Sequence, residues 1–217
     1  MKKLSINSLL VESKIFCKNT CNFRSPYLFG ITDGKAVGTF VEHNLKKHLA
    51  NKYDIDNTNS ASGIDLPFIE TDIKVTSIKQ PQSSCPYKDS RQKIFGLGYN
   101  LLLFVYSKED DYNTKEGILN ITSCKFIEKY RTGDYQTTTG ILNILKNNGN
   151  VDDIFAFLED KNIPGDEVTL YNLAQEIKST PPEIGYLTIS NALQWRLQYG
   201  RIVDLVDNTV NGIISII

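Results

Sequence analysis

The run LLLFVYS, Leu101 to Ser107, narrows most what this chain can become. A segment of that length with no polar face predicts a strand covered on both sides, as in a sheet held between other layers. ILNITSCKFIEKY, just beyond it, predicts a further strand. Upstream, GKAVGTFVEHNLKKHLANKY, Gly34 to Tyr53, repeats Val37, Phe40, Val41, Leu45 and Leu49 at spacings of three and four. That spacing predicts an amphipathic helix, with Glu42 near the edge of its apolar stripe. Helices follow around Thr137–Lys146, Val151–Leu158 and Val168–Lys178, the last one stopped by Pro181-Pro182. TISNALQWRLQYGRIVDLV, Thr188 to Val206, reads as a further helix broken at Gly200. Residues 1 to 30 show no clean period and read as strand fragments and turns. DIDNTNSASG (54–63) and QPQSSCPYKD (80–89) read as loops, and SRQKIFGLGYN as a short helix weakened by Gly96 and Gly98. The expected architecture is a single α/β domain over 1–217, a central mixed sheet flanked by helices, with a more helical half after about residue 130.

Composition excludes little. Hydrophobic residues at 41% and charged residues at 23% support a packed core rather than global disorder. A net charge of -1 removes a basic coat as an argument for nucleic-acid binding, yet permits a basic cleft on an otherwise acidic surface. Cys17 and Cys21 form CKNTC, but Cys85 and Cys124 are scattered and only His43 and His48 are available, so reduced cysteines fit better than a zinc site. The apolar part of MKKLSINSLLVESK is too short for a signal peptide, and no run reaches the length of a membrane span. The C-terminal IVDLVDNTVNGIISII, interrupted by Asp204, Asp207, Asn208 and Asn211, fits a buried helix or strand. The expected compartment is the cytoplasm.

The unusual chemistry lies in GIDLPFIETDIKVTS, Gly63 to Ser77. From Phe68 the residues alternate: Glu70, Asp72, Lys74 and Thr76 fall on one side, Ile69, Thr71, Ile73 and Val75 on the other. Asp65 lies just upstream, near a bend marked by Gly63 and Pro67, and a hairpin or an adjoining strand could bring its carboxylate beside Asp72. Glu42 can reach the same cluster from the upstream helix. Metal-assisted phosphodiester hydrolysis needs hard oxygen ligands facing the phosphate and a cation near the attacking water. The bland alternatives are that Asp72 and Lys74 face solvent on an edge strand, and that Glu42 is a solvated helix acid. The buried run beside them favours the functional reading.

Asp65, then Asp72-Ile73-Lys74, resembles the PD-(D/E)xK signature of restriction endonucleases, as D-x(6)-DxK with Ile64 where the family often has proline. The short gap is similar to that of the mismatch-repair endonuclease that nicks unmethylated GATC strands. GKAVGTFVE, Gly34 to Glu42, resembles the glycine-spaced start of the first helix in several restriction enzymes. The resemblance covers 34–107, about a third of the chain. It implies a restriction-endonuclease-like core and a type II restriction endonuclease that uses Mg²⁺ to hydrolyse double-stranded DNA. It implies Asp65 and Asp72 as metal ligands, Glu42 as an indirect or second-metal ligand, and Lys74 as the residue that orients the water. Glu70 has no assigned role.

Two polar stretches could read DNA. One carries Lys79, Gln82, Lys88 and Arg91; the other carries Asn191, Gln194, Arg196 and Arg201, within a 130–217 portion expected to serve recognition and dimerisation. In the second stretch Leu193, Trp195 and Leu197 could equally be packing, with Arg196 solvated. Cutting a palindrome implies a homodimer, and restriction implies a methyltransferase acting on the same site. The rivals are a repair-type nicking endonuclease, a noncatalytic DNA-binding protein on the same fold, and an α/β protein whose acids Asp65 and Asp72 point apart.

Overall fold

The computed structural model describes residues 2–55, 63–86, 88–190, 194–206 and 208–217. Asn191 and the side chain of Gln194 lie outside the described residues, as does most of the loop expected at 54–63. The chain divides into two compact units, Met1–Gln82 with Asn100–Ile127 and Leu205–Ile217, and Ser83–Tyr99 with Glu128–Asp204.

The first unit is built on a mixed sheet. Its strands are β2 (Phe23–Ser25), β4 (Thr71–Ser77), β6 (Asn100–Asp111), β7 (Glu116–Ile127) and β10 (Ile213–Ser215). They run in the order β10-β7-β6-β4, with β2 also on β7. β4 and β6 are parallel, pairing Asp72 with Leu101 and Lys74 with Leu103, while β6 and β7 are antiparallel. Leu101 through Val105 are wholly buried, which explains why that run has no polar face. β1 (Lys2–Lys3) and β3 (Tyr53–Asp54) form a separate parallel pair.

Helices α1 (Ile6–Asn19) and α2 (Gly34–Ala50) pack on the sheet. Leu9 and Phe16 of α1, and Val37, Val41, Leu45 and Leu49 of α2, share one core with Ile73, Leu102, Phe104 and Phe126. α2 matches its expected apolar stripe. α1 was expected as strand fragments and turns, and the reason is visible in its buried face. That face contains Leu9, Phe16 and Cys17 but also Glu12 and Ser13, so an apolar count breaks the helical period. Glu12 is tolerated because Lys52 Nζ and His48 Nε2 each lie 2.8 Å from its Oε2. Ser5 caps the helix, accepting from the Ser8 amide at 3.2 Å.

The second unit joins a helical cluster to a small sheet. α3 (Arg91–Phe95), α4 (Tyr135–Lys146), α5 (Val151–Asp160) and α6 (Glu167–Ser179) contain the expected helices. Ile141, Ile154, Leu158, Leu173 and Ile177 form their core with Ile94 of α3. Asp134, Asn150 and Asp166 cap the three long helices, Asn150 in a reciprocal capping box with Asp153. A Cβ at Gly185 would overlap the Gly133 backbone, so the two chain segments can approach only because that position is glycine.

Two expectations fail in this unit. The stretch 80–89 contains β5 (Gln82–Pro86), and among the described residues of 188–206 are β8 (Thr188–Ile189), β9 (Gln194–Gln198) and only a single turn of helix, α7 (Gly200–Val203). These strands form a sheet in the order β5-β9-β8. Trp195, Leu197 and Tyr199 are buried while Arg196 and Gln198 between them are exposed, a period of two. Among the described residues no helix is long and apolar enough to cross a membrane.

Candidate active site

The link Ile64–Thr71 is a tight hairpin on the edge of β4. Leu66 and Thr71 exchange backbone hydrogen bonds of 2.9 and 3.1 Å around a 3₁₀ turn at Pro67–Ile69. Glu70 closes the turn in the left-handed region, with φ 47° and ψ 44°. It therefore does not continue the strand's alternation, as its sequence parity suggested. Asn100 anchors the turn: its amide donates to the Glu70 carbonyl at 2.7 Å and its side-chain nitrogen to the Ile69 carbonyl at 3.3 Å. Asn100 escaped the sequence reading because nothing local marks it.

This closure sets Asp65 against Asp72. The Asp65 amide donates to Asp72 Oδ1 at 3.4 Å, and the Ile73 amide donates to Asp65 Oδ2 at 2.9 Å. Lys74 Nζ lies 2.6 Å from Asp72 Oδ2. From α2, Lys46 Nζ sits 2.7 Å from both Glu42 Oε1 and Asp65 Oδ1. Glu42, Asp65, Asp72 and Lys74 are thus all brought together, joined by Lys46, a residue the sequence reading did not single out. Its only local signal is the i,i+4 spacing from Glu42 on a helix.

The electrostatics are uneven. Asp72 is 5% exposed. Burial pushes its carboxyl up to about 6; Lys74 opposes the rise, and the hydrogen-bonded Asp65 carboxylate adds to it. Burial would also raise Asp65, but the hydrogen bonds from Asp72, Lys46 and the Ile73 amide together hold it below the usual carboxylate range. Asp72 is thus the acid of the pair that takes up a proton first as pH falls. Lys46 is raised: burial acts against its charge, and Asp65 and Glu42 more than compensate.

Among the described residues no group of three or more His, Cys, Asp or Glu side chains is placed to enclose a metal. The donor set still suits Mg²⁺, which keeps several waters and is held by one or two carboxylates plus substrate phosphates. Asp65 and Asp72 are such a pair. Among the described residues none of the four cysteines forms a disulfide; Cys17 and Cys124 are buried and Cys21 is exposed.

Glu70 offers a direct test of whether its carboxylate matters. Glycine takes left-handed φ without the Cβ penalty. Glu70→Gly is expected to keep DNA cleavage and to change stability by less than about 1 kcal/mol, measured by thermal melting beside an activity assay. A loss of cleavage with melting unchanged would make the carboxylate functional.

The residues expected to read DNA are spread over both units. In the first, Lys79 is exposed in the turn after β4, and Gln82 is tied by its backbone to Thr76 Oγ1 at 2.9 and 3.0 Å. In the second, Lys88 and Arg196 are exposed. Arg91 pairs with Glu176 at 2.7 Å and lies 4.6 Å over the Phe95 ring, and Arg201 lies 3.7 Å over the Tyr135 ring. Both arginines therefore also contribute to the unit's own packing.

No solved structure matches the chain. The family model described as type II restriction enzyme NspV matches residues 3–215. A curated type II restriction enzyme NspV from Nostoc sp. (strain ATCC 29411 / PCC 7524) is 50% identical over 204 residues, covering 94% of this chain and 93% of that protein. On a match of this extent, the chain belongs to the NspV family of type II restriction enzymes.

Proposed function

We propose that the Glu42, Asp65, Asp72 and Lys74 cluster is a PD-(D/E)xK-type catalytic centre that hydrolyses phosphodiester bonds of double-stranded DNA with Mg²⁺. The observation that carries this reading is the convergence of Asp65, Asp72 and Lys74, with Lys74 Nζ 2.6 Å from Asp72. When bound, the ion would neutralise phosphate charge and lower the pKa of a coordinated water. Asp65 and Asp72 would hold it, with Glu42 acting indirectly. Lys74 orients the water that attacks phosphorus and stabilises the charge that develops there. The new bond joins water oxygen to phosphorus as the water gives up a proton to solvent; the bond to the 3′ oxygen breaks, and that oxygen takes up a proton from solvent. The products are a 5′-phosphate and a 3′-hydroxyl.

Lys79, Gln82, Lys88, Arg91, Arg196 and Arg201 are the proposed DNA contacts among the described residues, phosphates being the natural partners of the lysines. Each chain offers one such centre, so cutting both strands of a palindrome calls for a homodimer. A cognate methyltransferase protecting the same sequence and a cytoplasmic location complete the proposal.

The test is digestion of unmethylated DNA with Mg²⁺, followed by sequencing of the ends. One recurring sequence bearing 5′-phosphates is expected. No cleavage by folded protein with any divalent ion, or ends without a common sequence, would overturn the reading.

A further inference from the structure

We propose that Lys46 is the resident cation of the DNA-free enzyme: its ammonium occupies the Asp65 carboxylate, which with Asp72 would hold the divalent ion, and it leaves when the ion binds. This rests on the metal-dependent reading above.

Three observations carry it. Lys46 Nζ is 2.7 Å from a carboxylate oxygen of Glu42 and 2.7 Å from one of Asp65, the length of a charge-assisted hydrogen bond to each. The ammonium thus already holds Asp65, one of the two acids that would hold the metal. The charges also require it. Three carboxylates against Lys46 and Lys74 leave one formal negative charge, whereas Lys74 alone would leave two in a cluster where Asp72 is 7% and Asp65 18% exposed at the side chain. Finally, Lys46 can leave. Its side chain is 29% exposed and sits on the flexible four-carbon stem of a helix residue. Lys74 by contrast is carried on β4 beside the more deeply buried acid. A divalent ion arriving next to an ammonium is repelled, so the cluster binds the ion well only with Lys46 displaced.

The experiment titrates Mn²⁺ into DNA-free wild type, Lys46→Met and Lys46→Arg, following free Mn²⁺ by its electron paramagnetic resonance signal. Lys46→Met should bind Mn²⁺ about tenfold more tightly, having no cation to expel. Its metal-free melting temperature should fall below wild type and recover when Mn²⁺ is added. Lys46→Arg keeps the charge and grips carboxylates more firmly through its planar fork, so it should bind about threefold or more weakly than wild type. The arginine variant keeps the test decisive should the methionine variant not fold. Equal affinity across wild type and the folded variants overturns the role of Lys46 alone. Absence of Mn²⁺ binding by wild type and both variants overturns the metal reading of the site, and this inference with it.

Discussion

Asp72→Asn should melt at a higher temperature than wild type in metal-free buffer at pH 7.5, while losing DNA cleavage. The wild-type carboxyl is 5% exposed and titrates near 6, above its ordinary value of 3.8. A carboxyl raised in the folded state binds its proton more tightly there than in the unfolded chain. Its contribution to stability is therefore fully present below about 3.8 and is lost as pH rises through about 6. At neutral pH the folded protein carries a buried charge that the unfolded chain holds in water. Asparagine keeps the shape and an acceptor for the Asp65 amide without that charge. The gain should be about 1–3 kcal/mol, or several degrees for a chain of this size. It should vanish near pH 4, where wild type is also neutral at this position. Melting curves at pH 4.5, 6 and 8 check the sign. A variant less stable than wild type at pH 8 would mean that the Lys74 pair, 2.6 Å from Asp72, outweighs burial. A destabilising acid retained beside a lysine is the expected signature of a residue kept for chemistry.

Lys74→Met should cut the cleavage rate by about a thousandfold or more and lower stability at neutral pH by roughly 1–3 kcal/mol, because it leaves the buried Asp72 carboxylate without its cation. Lys74 is the cation paired with Asp72 on β4, and in the proposed mechanism its removal would take away the charge that orients water and meets the developing negative charge. It should not abolish metal binding, because methionine deletes a positive charge rather than a ligand. Comparison of single-turnover rates with Mn²⁺ titration separates the two effects. Lost metal binding would instead make Lys74 a positioning residue for Asp72.

What was legible followed from spacing within one element or across one tight turn. The α2 stripe, the doubly buried β6 and the Asp65–Asp72–Lys74 convergence are all of this kind: only six residues, proline among them, separate the two acids, and the structure closes them as a hairpin. What was missed needs tertiary knowledge. α1 hid because Glu12 and Ser13 occupy its buried face, and the residues that neutralise Glu12 lie more than thirty positions away. The β9 region read as helix because Leu193 and Leu197 are four apart, yet Trp195, Leu197 and Tyr199 bury with a period of two. Lys46 reaches Asp65 across nineteen positions, so only the packed α2 and hairpin reveal it. The match to a restriction enzyme over 94% of the chain leaves the repair-type nickase and the noncatalytic reading without support.

The most direct measurement is the single-turnover cleavage rate of one duplex containing the recognition sequence, with Mg²⁺, for wild type beside Asp72→Asn, each confirmed folded by its melting curve. The structure predicts rapid cutting by wild type and at least about a thousandfold less by the variant. Cutting by a folded Asp72→Asn within about tenfold of wild type would contradict the assignment of this cluster as the catalytic centre.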